Sequence, residues 1–310
     1  MRTRCVAYML ILALVIPASA VLAYNQPPLN LGFTNVLDQP PGPGLYFFEY
    51  IQAYEASKFK DNDGNEIFPG EKISVLTSFN QLVWVSPHMA LGGHLGIEGV
   101  LPVASINTNG AFLSSNPNVV GDPFIGPFIQ WFGHKLFGRP YLHRLELQII
   151  APLGSYSENY NINTGSNIWT IEPYYSFTLF FTPKFSTSWR IHYAFHTKND
   201  DPFVGLVGVN SIKPGQVFHF NYSFAYEVVK DLRIALAGYY LKQMEEDDVD
   251  GTLPPPLSFF NKEEQVFAMG YGLFWSPPGK LVIGLKTFFE SGAENRAEGT
   301  RTTLRFIWKF

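Results

Sequence analysis

From about residue 45 to the C-terminus, apolar and polar residues alternate with a period of two, the spacing that places successive side chains on opposite faces of a β-strand. The clearest case is NIWTIEPYYSFTLFF, residues 167–181. Its odd positions, Trp169, Ile171, Pro173, Tyr175, Phe177, Leu179 and Phe181, form one apolar face, while Thr170, Glu172, Ser176 and Thr178 stand on the other. The next segment sets Phe185, Trp189, Ile191, Tyr193 and Phe195 against Ser186, Ser188, Arg190, His192 and His196. Residues 143–151 set Leu145, Leu147 and Ile149 against Arg144, Glu146 and Gln148, and residues 91–101 set Leu95, Ile97 and Leu101 against His94 and Glu98. The pattern is mixed over 45–57, where Glu49 and Ile51 share a face.

Twelve such segments are predicted, at 45–59, 71–86, 90–104, 120–132, 141–151, 167–181, 185–196, 215–228, 231–243, 264–276, 281–290 and 300–310. The connections alternate in length. Short ones fall at Pro87–His88, 133–140, 182–184, near 230 and at 277–280, and long ones at 60–70, 105–119, 152–166, 197–214, 244–263 and 291–299. An even strand number with short turns on one rim and long loops on the other is the layout of a transmembrane antiparallel up-and-down β-barrel, with short periplasmic turns and long extracellular loops. A soluble β-sandwich shares the alternation but does not require the loop rhythm.

The chain ends on LRFIWKF, with Phe306, Trp308 and Phe310 two apart. Closing a barrel pairs the last strand with the first and removes both edges. These three aromatics then face lipid in the periplasmic girdle, and Arg301, Arg305 and Lys309 face inward. Such an ending resembles the signal read by the barrel-assembly machinery, an expected partner alongside outer-membrane lipid and lipopolysaccharide.

Composition supports the same class. Charged residues are 15% and aromatics 16% of the chain, against about 25% charged in ordinary soluble domains. Residues 1–23 read as a signal peptide, with Arg2 and Arg4, an apolar run from Val6 to Ile16 and small residues offering cleavage after Ala20 or Ala23. The run is too short to span a bilayer. Cys5 would leave with it, and a mature chain without a thiol excludes thiolate catalysis, cysteine zinc sites and disulfides. Its net charge, moving from −4 to −6, argues against a nucleic-acid partner. Residues 24–44, rich in Pro and Gly, form either a periplasmic arm or a plug in the lumen, and 45–310 form the barrel. The expected location is the outer membrane of a Gram-negative bacterium.

Several stretches, NLGFTNVLDQPPGPGLYFFEY (30–50), FKDNDGNEI (59–67), the run 160–202, LRIALAGYYLKQMEEDDVDG (232–251) and ENRAEG (294–299), resemble the exported bacterial family labelled as meta-pathway phenol-degradation proteins, related to SphA-like outer-membrane proteins. The resemblance covers nearly the whole mature chain. It implies an uptake channel for small hydrophobic or aromatic compounds and assigns no catalytic residues.

Twelve strands lie between the eight whose interior side chains fill the barrel and the sixteen or so that open an aqueous channel, so a narrow lumen is expected. Its inward faces carry Glu98, Asp122, Arg144, Glu146, Glu172, Arg190, His192, Arg233, Lys286, Glu290, Arg301 and Arg305, with the aromatics Phe124, Phe128, Tyr174 and Phe288. Both signs of charge argue against a strongly ion-selective pore. The set reads either as a network of paired charges or as a polar and aromatic path for a small amphipathic solute. Neither a cofactor nor a metal is expected: His192 and His196 stand about 13 Å apart along a strand, too far to share an ion. DNDGNE (61–66) lacks the spacing of a calcium loop, and the acidic run MEEDDVDG (244–251) reads as a solvated outer loop, with divalent ions bridging it to lipopolysaccharide as the alternative. A barrel-embedded lipid hydrolase would need a compact Ser–His cluster, and Ser188 and His192 lie four residues apart on one strand. A structural or adhesive barrel is the other alternative. The turn at 182–184 centres its hairpin near Pro183, which sets His192 opposite Tyr174 and Glu172 one diagonal step away. A carboxylate so near favours charged imidazole, making this pair a candidate pH-responsive element of the lumen.

Overall fold

The computed structural model describes residues 29–37, 39–253, 261–279 and 281–310. The expected leader, both cleavage positions and Cys5 lie outside them. The strands in chain order are β1 (Gly44–Lys60), β2 (Glu66–Ile67), β3 (Lys72–Ala90), β4 (Gly93–Asn109), β5 (Phe124–Leu136), β6 (Arg139–Ile150), β7 (Thr170–Phe180), β8 (Phe185–His196), β9 (Val209–Lys213), β10 (Val217–Val229), β11 (Leu232–Gln243), β12 (Asp248–Gly251), β13 (Gln265–Trp275), β14 (Leu281–Glu294) and β15 (Ala297–Lys309). All but β2, β9 and β12 form the barrel wall, each paired antiparallel with its neighbours in chain order, and β15 returns to pair with β1. That closing ladder runs from Tyr46↔Lys309 to Phe59↔Ala297. The terminal Phe310 extends it, its backbone N–H donating to Leu45 O at 3.1 Å. A ring of strands with no free edge satisfies its backbone within lipid, where water offers no partners.

The alternation sorts the side chains. Leu76, Leu82, Leu95, Ile97, Leu145, Ile171, Leu236, Leu273 and Leu285 point outward and are exposed. Such a continuous apolar belt would drive a soluble protein to aggregate, and it is the normal outer surface of a membrane barrel. Trp84, Trp275, Trp308 and Phe310, all exposed, mark the rim where the short turns lie, the position of an interfacial aromatic girdle. The mixed face of β1 is accommodated locally: outward Glu49 accepts a hydrogen bond from Ser78 Oγ at 2.7 Å.

Two expected connections differ. The first short turn lies at Leu91–Gly92, beyond Pro87–His88, with both residues at positive φ (50° and 77°), the two-residue geometry that matches strand twist. Pro87, lacking an N–H, is absorbed instead in the register irregularity between Val85 and Met89. The expected long loop at 291–299 is a tight turn at Asn295–Arg296, with Asn295 at φ 51°. The polar residues of that stretch lie on strands that continue past the apolar belt, so polarity there marks height above the membrane. On the same side, β9 and β12 pair with each other into a small sheet that joins two extracellular loops.

Candidate functional site

The segment preceding β1 lies inside the barrel. Leu29 and Leu31 are buried against Val217, Ala237, Tyr239, Leu241, Val266 and Phe288, all from the inner wall. From there the chain descends with its polar groups matched to inward side chains. Gly32 N donates to Asn221 Oδ1 at 2.9 Å, Asn35 Nδ2 to Gly238 O at 2.9 Å and Gln39 Nε2 to Ser176 Oγ at 2.9 Å. In return, Phe33 O and Asn35 Oδ1 accept from Lys286 Nζ at 2.5 and 2.8 Å, Val36 O accepts from Arg305 Nη1 at 2.7 Å, and Pro40 O from Gln130 Nε2 at 2.7 Å. An irregular strand without its own ladder must find backbone partners elsewhere. Here the inward polar face provides them, so Lys286 and Arg305 hold this segment and do not line an open path. Of the two placements left open by the sequence, residues 29–37 take the one within the lumen.

A second cluster is formed by the strands opposite. Arg144 Nη1 lies 2.9 Å from Glu98 Oε2 and 3.1 Å from Glu146 Oε2, and its other nitrogens donate to Gln130 Oε1 at 3.0 and 2.7 Å. Its guanidinium carbon sits 3.7 Å from the centre of the Phe128 ring. Tyr174 hydroxyl donates to Glu146, and Gln148 Nε2 reaches both carboxylates. Every member is buried, and buried charges persist only with such pairing. Next to it the hairpin register pairs Tyr174 with His192, and Glu172 Oε1 lies 2.5 Å from His192 Nδ1. His219 on β10, directly across the ladder from His192, brings Nε2 to 3.2 Å from the same oxygen. Toward the outside, Glu290 accepts from Tyr54 and Tyr239 hydroxyls at 2.9 and 2.7 Å and from Arg301 Nε at 3.2 Å.

Two expected lumen residues sit elsewhere. Asp122 is buried at the base of an extracellular loop, accepting from Gly154 N at 2.8 Å, Ser166 N at 2.7 Å and Ser166 Oγ at 2.5 Å. Burial outweighs these bonds and raises its carboxyl above the usual range. Arg233 is at the periplasmic rim, donating to the carbonyls of Pro183 and Lys184 at 3.0 Å and pairing with Glu227 at 2.7 Å, so it fastens the neighbouring turn. Ser188 hydroxyl is engaged with Thr178 Oγ1 at 2.9 Å and Leu37 N at 3.4 Å.

Above the buried segment, on the extracellular side, a cavity of about 210 Å³ remains. Its lining joins the apolar Leu29, Leu31, Phe33, Phe59, Ile73, Val75, Phe79, Ile106 and Ile162 to the polar or charged Gln52, Tyr54, Gln243, Asp247, Glu264, Arg296 and Arg301. Phe124 borders a separate cavity of about 30 Å³ beside Glu172 and Arg190. At the mouth Glu264 pairs with Arg296 at 3.3 Å. Burial pushes its carboxyl up to about 7, opposed by Arg296 and aided by Asp247. The residues that build the cavity and hold the inner segment, Phe59, Val75, Gln52, Gln130, Asn221 and Ser223, were not singled out from the sequence. Inward alternation marks Val75, Gln52, Gln130, Asn221 and Ser223, and nothing local distinguishes them from other inward residues; Phe59 turns inward only past the register shift between Ala56 and Lys58.

Among solved structures, an outer membrane channel from Pseudomonas putida F1 superposes with a TM-score of 0.77 at 15% identity, over 89% of this chain and 100% of that one. The transport unit of the autotransporter AIDA-I from Escherichia coli gives 0.49 at 11% identity, over 89% and 93%. A search of curated proteins finds no match. The first superposition shows the fold. The sequence profile described as "Putative MetA-pathway of phenol degradation" matches residues 56–306, and the protein therefore belongs to that family.

Proposed function

We propose that the protein is an outer-membrane channel for uptake of small hydrophobic or aromatic compounds. The observation that carries this reading is the amphipathic cavity of about 210 Å³ on the extracellular side. Its apolar side chains would take a ring or short chain, and its polar ones would orient one hydroxyl or carboxyl, the usual division of labour in a small-molecule site. Below it, residues 29–37 fill the lumen, so a solute moves on only when that segment shifts. Family membership supports the solute class.

The test is growth and uptake on a panel of one-ring aromatic compounds by a deletion strain and its complemented counterpart, with lipid hydrolysis assayed on the purified barrel. Reduced uptake on deletion and no hydrolysis agree with the proposal. Unchanged uptake, with or without hydrolysis, overturns it.

A further inference from the structure

Glu172, His192 and His219 come from three consecutive wall strands, β7, β8 and β10, and converge inside the barrel. Their exposures are 1%, 1% and 0%. One donor atom from each lies within 4.8 Å of the others. Glu172 Oε1 is shared between the two imidazoles, yet the 2.5 Å approach of His192 Nδ1 lacks hydrogen-bond geometry. Both ring nitrogens of His192 and Nδ1 of His219 are without a hydrogen-bond partner. Buried polar atoms without a hydrogen-bond partner are costly, and three of them on two imidazoles that share one carboxylate oxygen call for a ligand.

We propose that Glu172, His192 and His219 form a binding site for one divalent transition-metal ion in the lumen wall. One carboxylate and two imidazoles suit zinc, nickel or copper(II), while calcium and magnesium prefer all-oxygen sets. Two ligands at about 2.0–2.1 Å from one tetrahedral ion lie about 3.4 Å apart. The donor atoms, all within 4.8 Å of one another, therefore close by no more than about 1.5 Å, and the Glu172–His192 approach of 2.5 Å opens by nearly 1 Å. The imidazole rings are stacked, with centroids 4.2 Å apart and 12° between planes. One ring turns so that both lone pairs meet the ion. The cavity of about 30 Å³ that Glu172 and Arg190 border has room for a single water, which supplies a further ligand. The neighbouring charges set the strength. Arg144 is balanced by Glu98 and Glu146, whereas Arg190, over the Tyr174 ring at 4.5 Å, repels a cation, so Arg190→Gln tightens binding.

The probe is cobalt(II), titrated into the purified folded barrel after stripping with a chelator. The expected result is one equivalent bound with ligand-field absorption bands, displaced by zinc. Glu172→Gln and His219→Gln weaken it at least tenfold while keeping the heat-modifiable gel mobility of a folded barrel. His134 and His143 at the periplasmic rim, with ring nitrogens 2.9 Å apart, are the competing exposed pair, and replacing both with Gln leaves binding unchanged. Should the lumen variants fail to assemble, X-ray absorption of the cobalt-loaded wild type still decides, showing two imidazoles and a carboxylate oxygen in the coordination shell. No stoichiometric binding, loss of binding in the His134/His143 variant, or a shell of oxygens alone overturns the proposal.

Discussion

The lower and upper halves of the lumen share one wall and one alternation of side chains, yet their interiors are opposites. Below, Arg144 is gripped by Glu98, Glu146 and Gln130, and Lys286 and Arg305 hold the entering chain. Above, the inward positions of β1, β3 and β4 turn apolar at Phe59, Val75 and Ile106, and a cavity remains. A barrel of this strand number has more interior than its side chains fill, and among the described residues the deficit is met below by a second piece of chain and above leaves a cavity. On the proposed reading, the filled half governs passage and stability, and the open half governs which solute is accepted.

The largest effect is expected from removing the filler. Deleting residues 29–37 frees Lys286 and Arg305 to hydrate and should raise single-channel conductance in planar bilayers several-fold; conductance equal to wild type would erase the distinction between the halves. Next, Arg144→Met leaves Glu98 and Glu146 buried without a cation, a change that costs about 3–5 kcal/mol, read as a lower urea midpoint in detergent. At the seam, deleting Phe310 removes the bond to Leu45 O and a girdle anchor. Export should persist while the heat-modifiable assembled fraction falls.

The smallest effect concerns the mouth. Glu264 carries its proton up to about pH 7 in the folded protein, against an ordinary carboxylate value of about 4.3. Between those values the folded state binds more protons than the unfolded one, so this group's contribution falls as pH rises through that window. Glu264→Gln should gain stability relative to wild type from pH 5 to pH 8, by about 1–3 kcal/mol. A difference that is flat in pH would remove the mouth from the account.

How far the sequence reached depends on how local each feature is. The hairpin turn at 182–184 fixes the register of β7 and β8, and Tyr174 does pair with His192. His219 contacts the same carboxylate, but β8 and β10 are joined across residues 197–216, a loop too long for turn arithmetic to carry register. Strand membership was legible from alternation because one face meets lipid and the other does not. The end of β14 was misplaced because alternation stops signalling above the membrane, where both faces are polar. Asp122 and Arg233 follow the inward pattern but stand at the barrel rims, where the same facing leads to a loop or a turn. The path of residues 29–37 had no periodicity to read, since it takes its shape from the side chains around it.

The central claim, that the upper cavity selects an apolar solute, is tested most directly by flux into proteoliposomes carrying wild type or Val75→Trp. The substitution fills the cavity from β3 without touching the paired charges. Influx of a labelled one-ring aromatic and of a hydrophilic solute of similar size is measured for both proteins. The account predicts saturable aromatic influx through wild type that exceeds the hydrophilic control and falls at least tenfold in the variant. Aromatic influx that equals the control, or that is unaffected by Val75→Trp, would contradict it.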